Sequence, residues 1–277
     1  MVADVVMETH DTATLYLFTG NERLSYEPGH FISIDPHQFP ALERWVHFLE
    51  DQKGRREVPR AYSLASAPHE RHLAITVKEE RYQRGVTQYP PLLSPLLVHR
   101  TLKGTRMVIT GFTGPYTLPA DIESRTDHVV HVCAGSGIVP NYSIVKHALE
   151  SGMTLKHTLI YGNKSWGDII FQRALDALAV QHRDKLQIVH ALTREPNAAA
   201  FGPKVLAGRV DLTVMTQAVS DWSNVEVFAC GPAVTKYDRL AAKAQGKEAA
   251  PRFLESVLAA LTQLGVPKAR IHSESYG

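Results

Sequence analysis

The hydrophobic period of this chain changes once, near residues 121–126, and that change constrains its fold more than any other feature. Before it, short alternating or β-branched runs at 12–19, 30–34, 60–65, 73–77 and 106–110 are bounded by glycine, proline or charged turns, the pattern of strands joined by tight connections. Pro28-Gly29 and Thr113-Gly114-Pro115 punctuate them. Such spacing predicts an antiparallel barrel or sandwich. After the change, strand runs at 128–133, 158–161, 186–192 and 225–229 alternate with helix-period segments at 141–151 and 168–182. A last helix at 251–264 precedes a closing strand at 269–273. Alternation of this kind predicts βαβ units on a parallel sheet. At 277 residues the chain accommodates two domains, expected at 1–123 and 124–277.

Two stretches exceed a compact version of this plan. Residues 36–59 form a long insertion in which 41–52 reads as a short helix with Leu42, Trp45, Val46 and Leu49 on one face. Residues 236–250 are charged and rich in alanine. Each is expected to be a solvated excursion, with a lid or docking surface as the alternative.

Bulk properties exclude several classes. The formal net charge is +2, too little for a global nucleic-acid footprint. The start Met-Val-Ala-Asp lacks a charged-then-apolar leader, and no apolar run approaches ~18 residues. No membrane association is expected, and the expected compartment is the cytoplasm. Two cysteines, Cys133 and Cys230, are too few for a four-cysteine iron–sulfur site and argue against a disulfide framework. The 14 histidines show no zinc spacing, so no metal site is expected.

Three blocks carry chemistry. In Arg60-Ala-Tyr-Ser-Leu-Ala-Ser66, strand alternation sends Arg60, Tyr62 and Leu64 to one face and Ala61, Ser63 and Ala65 to the other. A guanidinium can pair with a diphosphate, and a phenol can stack on a flat ring. Gly135-Ser-Gly137 follows an apolar strand and opens a helix, where a glycine turn brings backbone N–H groups against a pyrophosphate. Pro140 stands where the usual last glycine would be. In the third block, Cys230 follows a strand, and the Gly231-Pro232 turn is expected to leave its thiol at the carboxyl edge of the sheet.

Ser94 before Pro95 has the form of a helix N-cap, whose free N–H groups suit a phosphate. Thr193 and Arg194 end a predicted strand, and Lys204 and Arg209 follow; these cations are placed to clamp an adenosine 2′-phosphate, favouring NADPH over NADH. Tyr142 and Lys146 spell the Tyr-x-x-x-Lys pair of short-chain dehydrogenases, but they lie too close to the glycine turn for that role.

In this order the blocks resemble the ferredoxin–NADP reductase superfamily of flavoprotein reductases along nearly the full chain. Arg-x-Tyr-Ser stands at Arg60-Ala-Tyr-Ser63, and glycine turn plus Ile-x-Pro at Gly135 to Pro140, with Val139 where Thr is common. Tyr161-Gly-Asn-Lys164 with Asp168-Ile-Ile-Phe171, Cys230-Gly-Pro232 and Glu274-x-Tyr276 complete the series. The resemblance implies an N-terminal antiparallel β-barrel FAD domain and a C-terminal parallel-sheet NAD(P) domain.

By that resemblance Arg60 holds the FAD diphosphate, Tyr62 lies on one flavin face and Ser63 hydrogen-bonds near flavin N5. Leu64, Ser66 and Val77 complete the flavin side. Ser94 resembles the phosphate-side serine, although the usual Gly-Gly pair is reduced to Gly85. Gly135, Ser136, Gly137, Ile138 and Pro140 bind the dinucleotide with Thr193, Arg194 and Arg209. Cys230, with Gly231 and Pro232, lies beside nicotinamide, Glu274 relays a proton or stabilises the semiquinone, and Tyr276 covers the other flavin face until nicotinamide displaces it. Ser63, Cys230, Glu274 and Tyr276 are the expected catalytic group. The implied activity is hydride transfer from NADPH or NADH, with single electrons passed to a ferredoxin or oxygenase partner. A reductase of a small acceptor (free flavin, ferric chelate or quinone) and an FAD-binding regulatory subunit are the alternatives.

Overall fold

Strands of two kinds keep to separate parts of the chain. A computed structural model describes residues 1–20, 24–84 and 87–276, and the chain divides into units at Met1–Thr117 and Leu118–Gly277. Unit 1 contains β1 (Val2–Thr9), β2 (Thr12–Leu17), β3 (Phe31–Ile34), α1 (Glu43–Lys53), β4 (Arg60–Ser63), β5 (Leu73–Lys78), α2 (Ser94–His99) and β6 (Thr110–Thr113). Its strands form two three-stranded antiparallel sheets, β1-β2-β5 and β4-β3-β6. Among the described residues one bridge, between Leu64 and Ile75, joins them, giving a barrel-like unit without a continuous closed ladder there.

Strand β1 is not predicted from its sequence, because Val5, Val6 and Met7 run together instead of alternating. It is an edge strand with Val6 and Met7 exposed. Strand β6 starts at Thr110, where the run 106–110 was expected to end. Gly111 and Phe112 have φ of +107° and +83°, and the register on β3 slips beside them, so pairing begins at the irregular segment.

The insertion 36–59 is not a solvated excursion. Val46 and Leu49 of α1 are each 1 % exposed and join Leu42, Ile32, Ile34 and Leu97 in the core of unit 1. Their helical spacing puts the apolar residues on one face, and that face completes the core.

Unit 2 contains α3 (Ile122–Arg125), β7 (His128–Ala134), α4 (Ile138–Glu150), β8 (Lys156–Asn163), α5 (Gln172–Gln181), β9 (Leu186–Leu192), β10 (Val205–Ala207), α6 (Leu212–Ala218), β11 (Val225–Pro232), α7 (Lys236–Ala244), α8 (Phe253–Gln263) and β12 (Ile271–Tyr276). The sheet order is β10-β9-β8-β7-β11-β12, every pair parallel. Leu254, Val257 and Leu261 of α8 recur at helical spacing and bury with Val227 and Ala229 of β11. In α7 no residue is buried, as expected for a solvated insertion. No helix among the described residues is long and apolar enough to cross a membrane. Among those residues no group of three or more His, Cys, Asp or Glu could hold a metal ion.

Candidate functional site

In unit 2 the strand order reverses between β7 and β11. From β7 the chain adds β8, β9 and β10 on one side, whereas β11 and β12 lie on the other. Ligands of open α/β sheets bind outside the carboxyl ends of the strands at such a reversal. Cys133 and Cys230 are register partners there, with Glu274 next to Cys230 on β12.

The glycine turn fits this place for two different reasons. Gly135 has φ +54°, which favours glycine, and no atom lies within 4 Å of where its Cβ would be. Gly137 has ordinary helical φ of −61°, but a Cβ there would lie 2.1 Å from the carbonyl oxygen of Cys230. Glycine therefore allows α4 to start directly against the backbone of β11. Ser136 is half-buried, while Ile138 and Pro140 are buried. Pro140 is the third residue of α4, within the first turn, where a missing N–H leaves no helical bond unmade. The open side of Gly135, at the N-terminal end of α4, fits an anionic pyrophosphate.

A buried polar chain holds the turn from below. Asn141 Nδ2 donates to the Gly137 carbonyl at 2.8 Å, and Asn141 Oδ1 meets His131 Nδ1 at 2.8 Å. His131 Nδ1 is then the protonated nitrogen, and its Nε2 accepts from His157 Nδ1 at 3.1 Å. Burial pushes His131 down to about 4 and His157 well below the usual histidine value, so both rings are neutral. They stack at 5.3 Å, and His131 stacks in turn on Phe228 at 5.8 Å.

Cys230 departs from expectation. It stands at the carboxyl end of its strand, but it is 0 % exposed. Burial, reinforced by Glu274 and Cys133, raises its thiol well above the usual value, so the group is neutral and enclosed. Gly231 is required by packing, since a Cβ would meet the Phe253 ring at 2.5 Å; Pro232 is exposed. Burial pushes Glu274 up to about 7. Its Oε2 is buried without a hydrogen-bond partner among the described residues. Tyr276 is half-buried and pairs in register with Pro232.

At the end of β9, Thr193 donates its N–H to Asn163 O at 3.0 Å, and Arg194 donates its own to Lys164 O at 2.6 Å. The side chain of Arg194 is exposed. Gly208 N–H reaches Leu192 O at 2.8 Å, which keeps the following, exposed Arg209 at the same strand end. Lys204 precedes the opposite end of β10, so the three cations are not one cluster. Tyr142 stacks on Phe171 at 4.2 Å, and Lys146 lies over its ring at 4.4 Å, a packing arrangement.

In unit 1, β4 presents Arg60 and Tyr62 half-buried, Ala61 exposed and Ser63 buried. The expected alternation stops there, because Leu64 turns onto β5 and is fully buried. Burial, the largest influence, raises the Tyr62 phenol above its ordinary range. Arg60 donates through Nη2 to Glu57 and through Nη1 to the Val58 carbonyl, which leaves the rest of its five donors for an anion. A cation with open donors beside a phenol ring fits the diphosphate and flat ring of a flavin dinucleotide.

Other residues expected on the flavin side have partners within unit 1. Ser66 accepts from Ala74 N–H at 3.0 Å and bonds the Tyr26 hydroxyl at 2.9 Å. Val77 is 1 % exposed and pairs with Ala13. Ser94 is not an N-cap: it is the first residue of α2, Leu93 precedes it, and its hydroxyl accepts from Glu80 N–H at 3.0 Å. The hydroxyl is drawn to a backbone donor on a neighbouring segment instead of its own helix. Gly85 lies outside the described residues.

Residues 131–236 match the family of oxidoreductase NAD-binding domains. The ferredoxin reductase component of 3-ketosteroid-9-alpha-monooxygenase from Mycolicibacterium smegmatis is 34% identical over 83% of this chain and 57% of that protein. The component of the same name from Rhodococcus rhodochrous is 28% identical over 99% of the chain and 64% of that protein. The fold matches the flavohem-like FAD/NAD-binding domain of nitric oxide dioxygenase from Vibrio cholerae O1 biovar El Tor, with TM-score 0.73 and 22% identity over 100% of this chain and 97% of that one. Residues 131–236 are thus similar to an oxidoreductase NAD-binding domain, and the fold is that of FAD/NAD-binding reductase domains. The chain spans less than two thirds of the length of the curated relatives it matches.

Within this fold, the sheet brings Gly135, Gly137, Cys230 and Glu274 to one end of three adjacent strands. An aromatic pair near the end of β9 is not expected from the sequence. Trp166 and Phe201 stack at 4.6 Å with an interplanar angle of 8°, Trp166 N–H donates to Glu195, and Phe201 is exposed. An exposed stack of this kind offers a surface for a flat ring. A Trp just beyond the predicted end of β8 was its available signal.

Proposed function

We propose that this chain is an FAD-dependent reductase that takes hydride from NADPH, or from NADH, and passes electrons singly to a ferredoxin or oxygenase component. The observation that carries the reading is the approach of Gly137 to the Cys230 carbonyl, which seats a glycine turn at the reversal of strand order. The matched relatives, named as ferredoxin reductase components, support the acceptor class. Arg60 is assigned to the FAD diphosphate, Tyr62 to the flavin ring and Ser63 to its N5 side. When bound, FAD supplies the conversion of a two-electron hydride into single electrons.

The remaining roles belong to the protein's own groups. The turn at Gly135, Ser136 and Gly137, with Ile138 and Pro140, is assigned to the pyrophosphate of the nicotinamide dinucleotide. Arg194 and Arg209 are assigned to its 2′-phosphate, which favours NADPH. Cys230 acts as a neutral, packed group beside the nicotinamide, because its buried thiol stays protonated. Glu274, pushed up by burial to about 7, can hold a proton at its carboxyl and give it up near neutral pH. Tyr276 is the aromatic group that yields its place when the dinucleotide binds. The cytoplasm is the assigned compartment.

The test is cytochrome c reduction by NADPH with and without an added [2Fe–2S] ferredoxin. Reduction that depends on the ferredoxin is the expected result. Equal reduction without it would favour a reductase of small acceptors.

A further inference from the structure

Arg60 is already held on one side, and the group that holds it comes from the segment 36–59. The Glu57 side chain is 1 % exposed and sits between two cations. It accepts from Lys53 Nζ at 2.5 Å and from Arg60 Nη2. Burial favours a neutral carboxyl, but the hydrogen bonds from Lys53 and Arg60 outweigh it and keep Glu57 below the ordinary carboxylate range.

Glu57 is itself fixed. Its N–H donates to Glu50 Oε1 at 2.8 Å. The same Glu50 oxygen meets His37 Nε2 at 2.9 Å, and His37 Nδ1 meets Asp35 Oδ1 at 2.6 Å. Glu50 and Lys53 are three apart on α1, hence on one face of the helix. The same stripe of the helix carries Val46 and Leu49, one turn before them, into the core. A rigid helix thus presents a carboxylate anchor on one side and an ammonium on the other to the residue that grips Arg60.

A carboxylate beside an anion-binding arginine can act in two opposing ways. Its charge repels a phosphate, while its grip orders a long side chain that is 36% exposed and otherwise free to sample many rotamers. Lys53 decides between them. At 2.5 Å it cancels most of the charge of Glu57, so the repulsion is largely removed and the orienting effect remains. Arg60 Nη1 is meanwhile bound to the Val58 carbonyl, which fixes the guanidinium plane.

We propose that Glu57 is a positioning residue for Arg60, held by α1 so that the open donors of the guanidinium meet the diphosphate of a flavin dinucleotide. The inference rests on the assignment of Arg60 to FAD given above. The segment 36–59 then serves the cofactor site through Glu57, beyond filling the core.

The experiment titrates the flavin-free full chain with FAD and, separately, with riboflavin, which lacks phosphate, following the quenching of flavin fluorescence. Wild type, Glu57→Gln, Arg60→Ala and the double variant are compared. Glu57→Gln is expected to weaken FAD about tenfold and to leave riboflavin unchanged. In the double variant, Glu57→Gln is expected to add nothing to the loss caused by Arg60→Ala, because its effect passes through that residue. Lys53→Met, which leaves the Glu57 charge uncancelled, is expected to weaken FAD by a similar factor and serves if Glu57→Gln does not fold. FAD binding by Glu57→Gln as tight as wild type or tighter, an equal loss for riboflavin, or additive losses in the double variant would each overturn the proposal. An Arg60→Ala variant that binds FAD normally overturns the assignment of Arg60 itself, and wild type that takes up no FAD overturns the cofactor reading.

Discussion

Replacing Gly137 with Ala tests the seating of the glycine turn through one methyl group. The residue has φ −61°, so alanine suits the backbone and by itself would gain about 0.4–1 kcal/mol. Against this, the new Cβ would lie 2.1 Å from Cys230 O, 2.6 Å from Cys230 C and 3.0 Å from Gly231 N. All three are backbone atoms and cannot rotate away. Reaching ordinary contact of ~3.5 Å requires more than about 1 Å of separation between α4 and β11. Overpacking of this kind costs about 1–3 kcal/mol. The Asn141 bond to Gly137 O, 2.8 Å long, resists the shift and adds about 1 kcal/mol if it breaks. The net expectation is a loss of about 2 kcal/mol, or roughly 4–8 °C in Tm for a chain of this size. Displacing the turn by about 1 Å should also weaken NADP+ binding at least tenfold, since misplacement on that scale can cost about 10²-fold. Thermal unfolding and calorimetric titration with NADP+ read the two effects. Gly135→Ala, with nothing within 4 Å of its Cβ, should lose less stability despite its positive φ. A Gly137→Ala protein with unchanged Tm and unchanged NADP+ affinity would refute the reasoning.

Other expectations follow from the buried ionisable groups and the exposed cations. Burial raises Glu274 to about 7, so the folded protein keeps a proton that the unfolded chain releases near 4.5, and stability falls as pH rises between those values. The loss approaches about 3 kcal/mol; Glu274→Gln should remove it, so urea unfolding at pH 5 and pH 8 should show the variant gaining on wild type at the higher pH. Parallel profiles would contradict this. His131 and His157 have the opposite sign: burial lowers both, the unfolded chain takes up protons below about 6.5, and stability falls as pH drops from there toward 4. His157→Leu should flatten that decline in Tm, and an equally steep decline would place its cause elsewhere. Arg194→Ala should raise the KM for NADPH several-fold more than the KM for NADH, and equal rises would remove Arg194 from the 2′-phosphate site.

The features legible in the sequence are those whose chemistry is local. Gly135-Ser-Gly137 after an apolar run announced a strand, a turn and a helix because few other residues permit that path, and α4 and β7 lie there. The parallel sheet followed from alternating periods. What escaped depends on partners distant in the chain. Residues 36–59 read as solvated because the apolar face of α1 is short and its partners, including Ile32 and Leu97, lie on other elements. Ser94 had the form of a cap, but Glu80 N–H takes its hydroxyl. Cys230 was expected at an open edge, whereas its neighbours Cys133 and Glu274 enclose it from both adjoining strands. The Asn141–His131–His157 chain joins α4, β7 and β8. Its only trace in the sequence is polar residues amid apolar ones, His131 within a strand and Asn141 just after Pro140.

The anaerobic visible spectrum of the purified protein, before and after stoichiometric NADPH and then NADH, tests the central claim most directly. The account predicts a yellow protein with a flavin spectrum that NADPH bleaches rapidly and NADH bleaches more slowly. A colourless protein that takes up no FAD, or a bound flavin that neither nucleotide reduces, would contradict it.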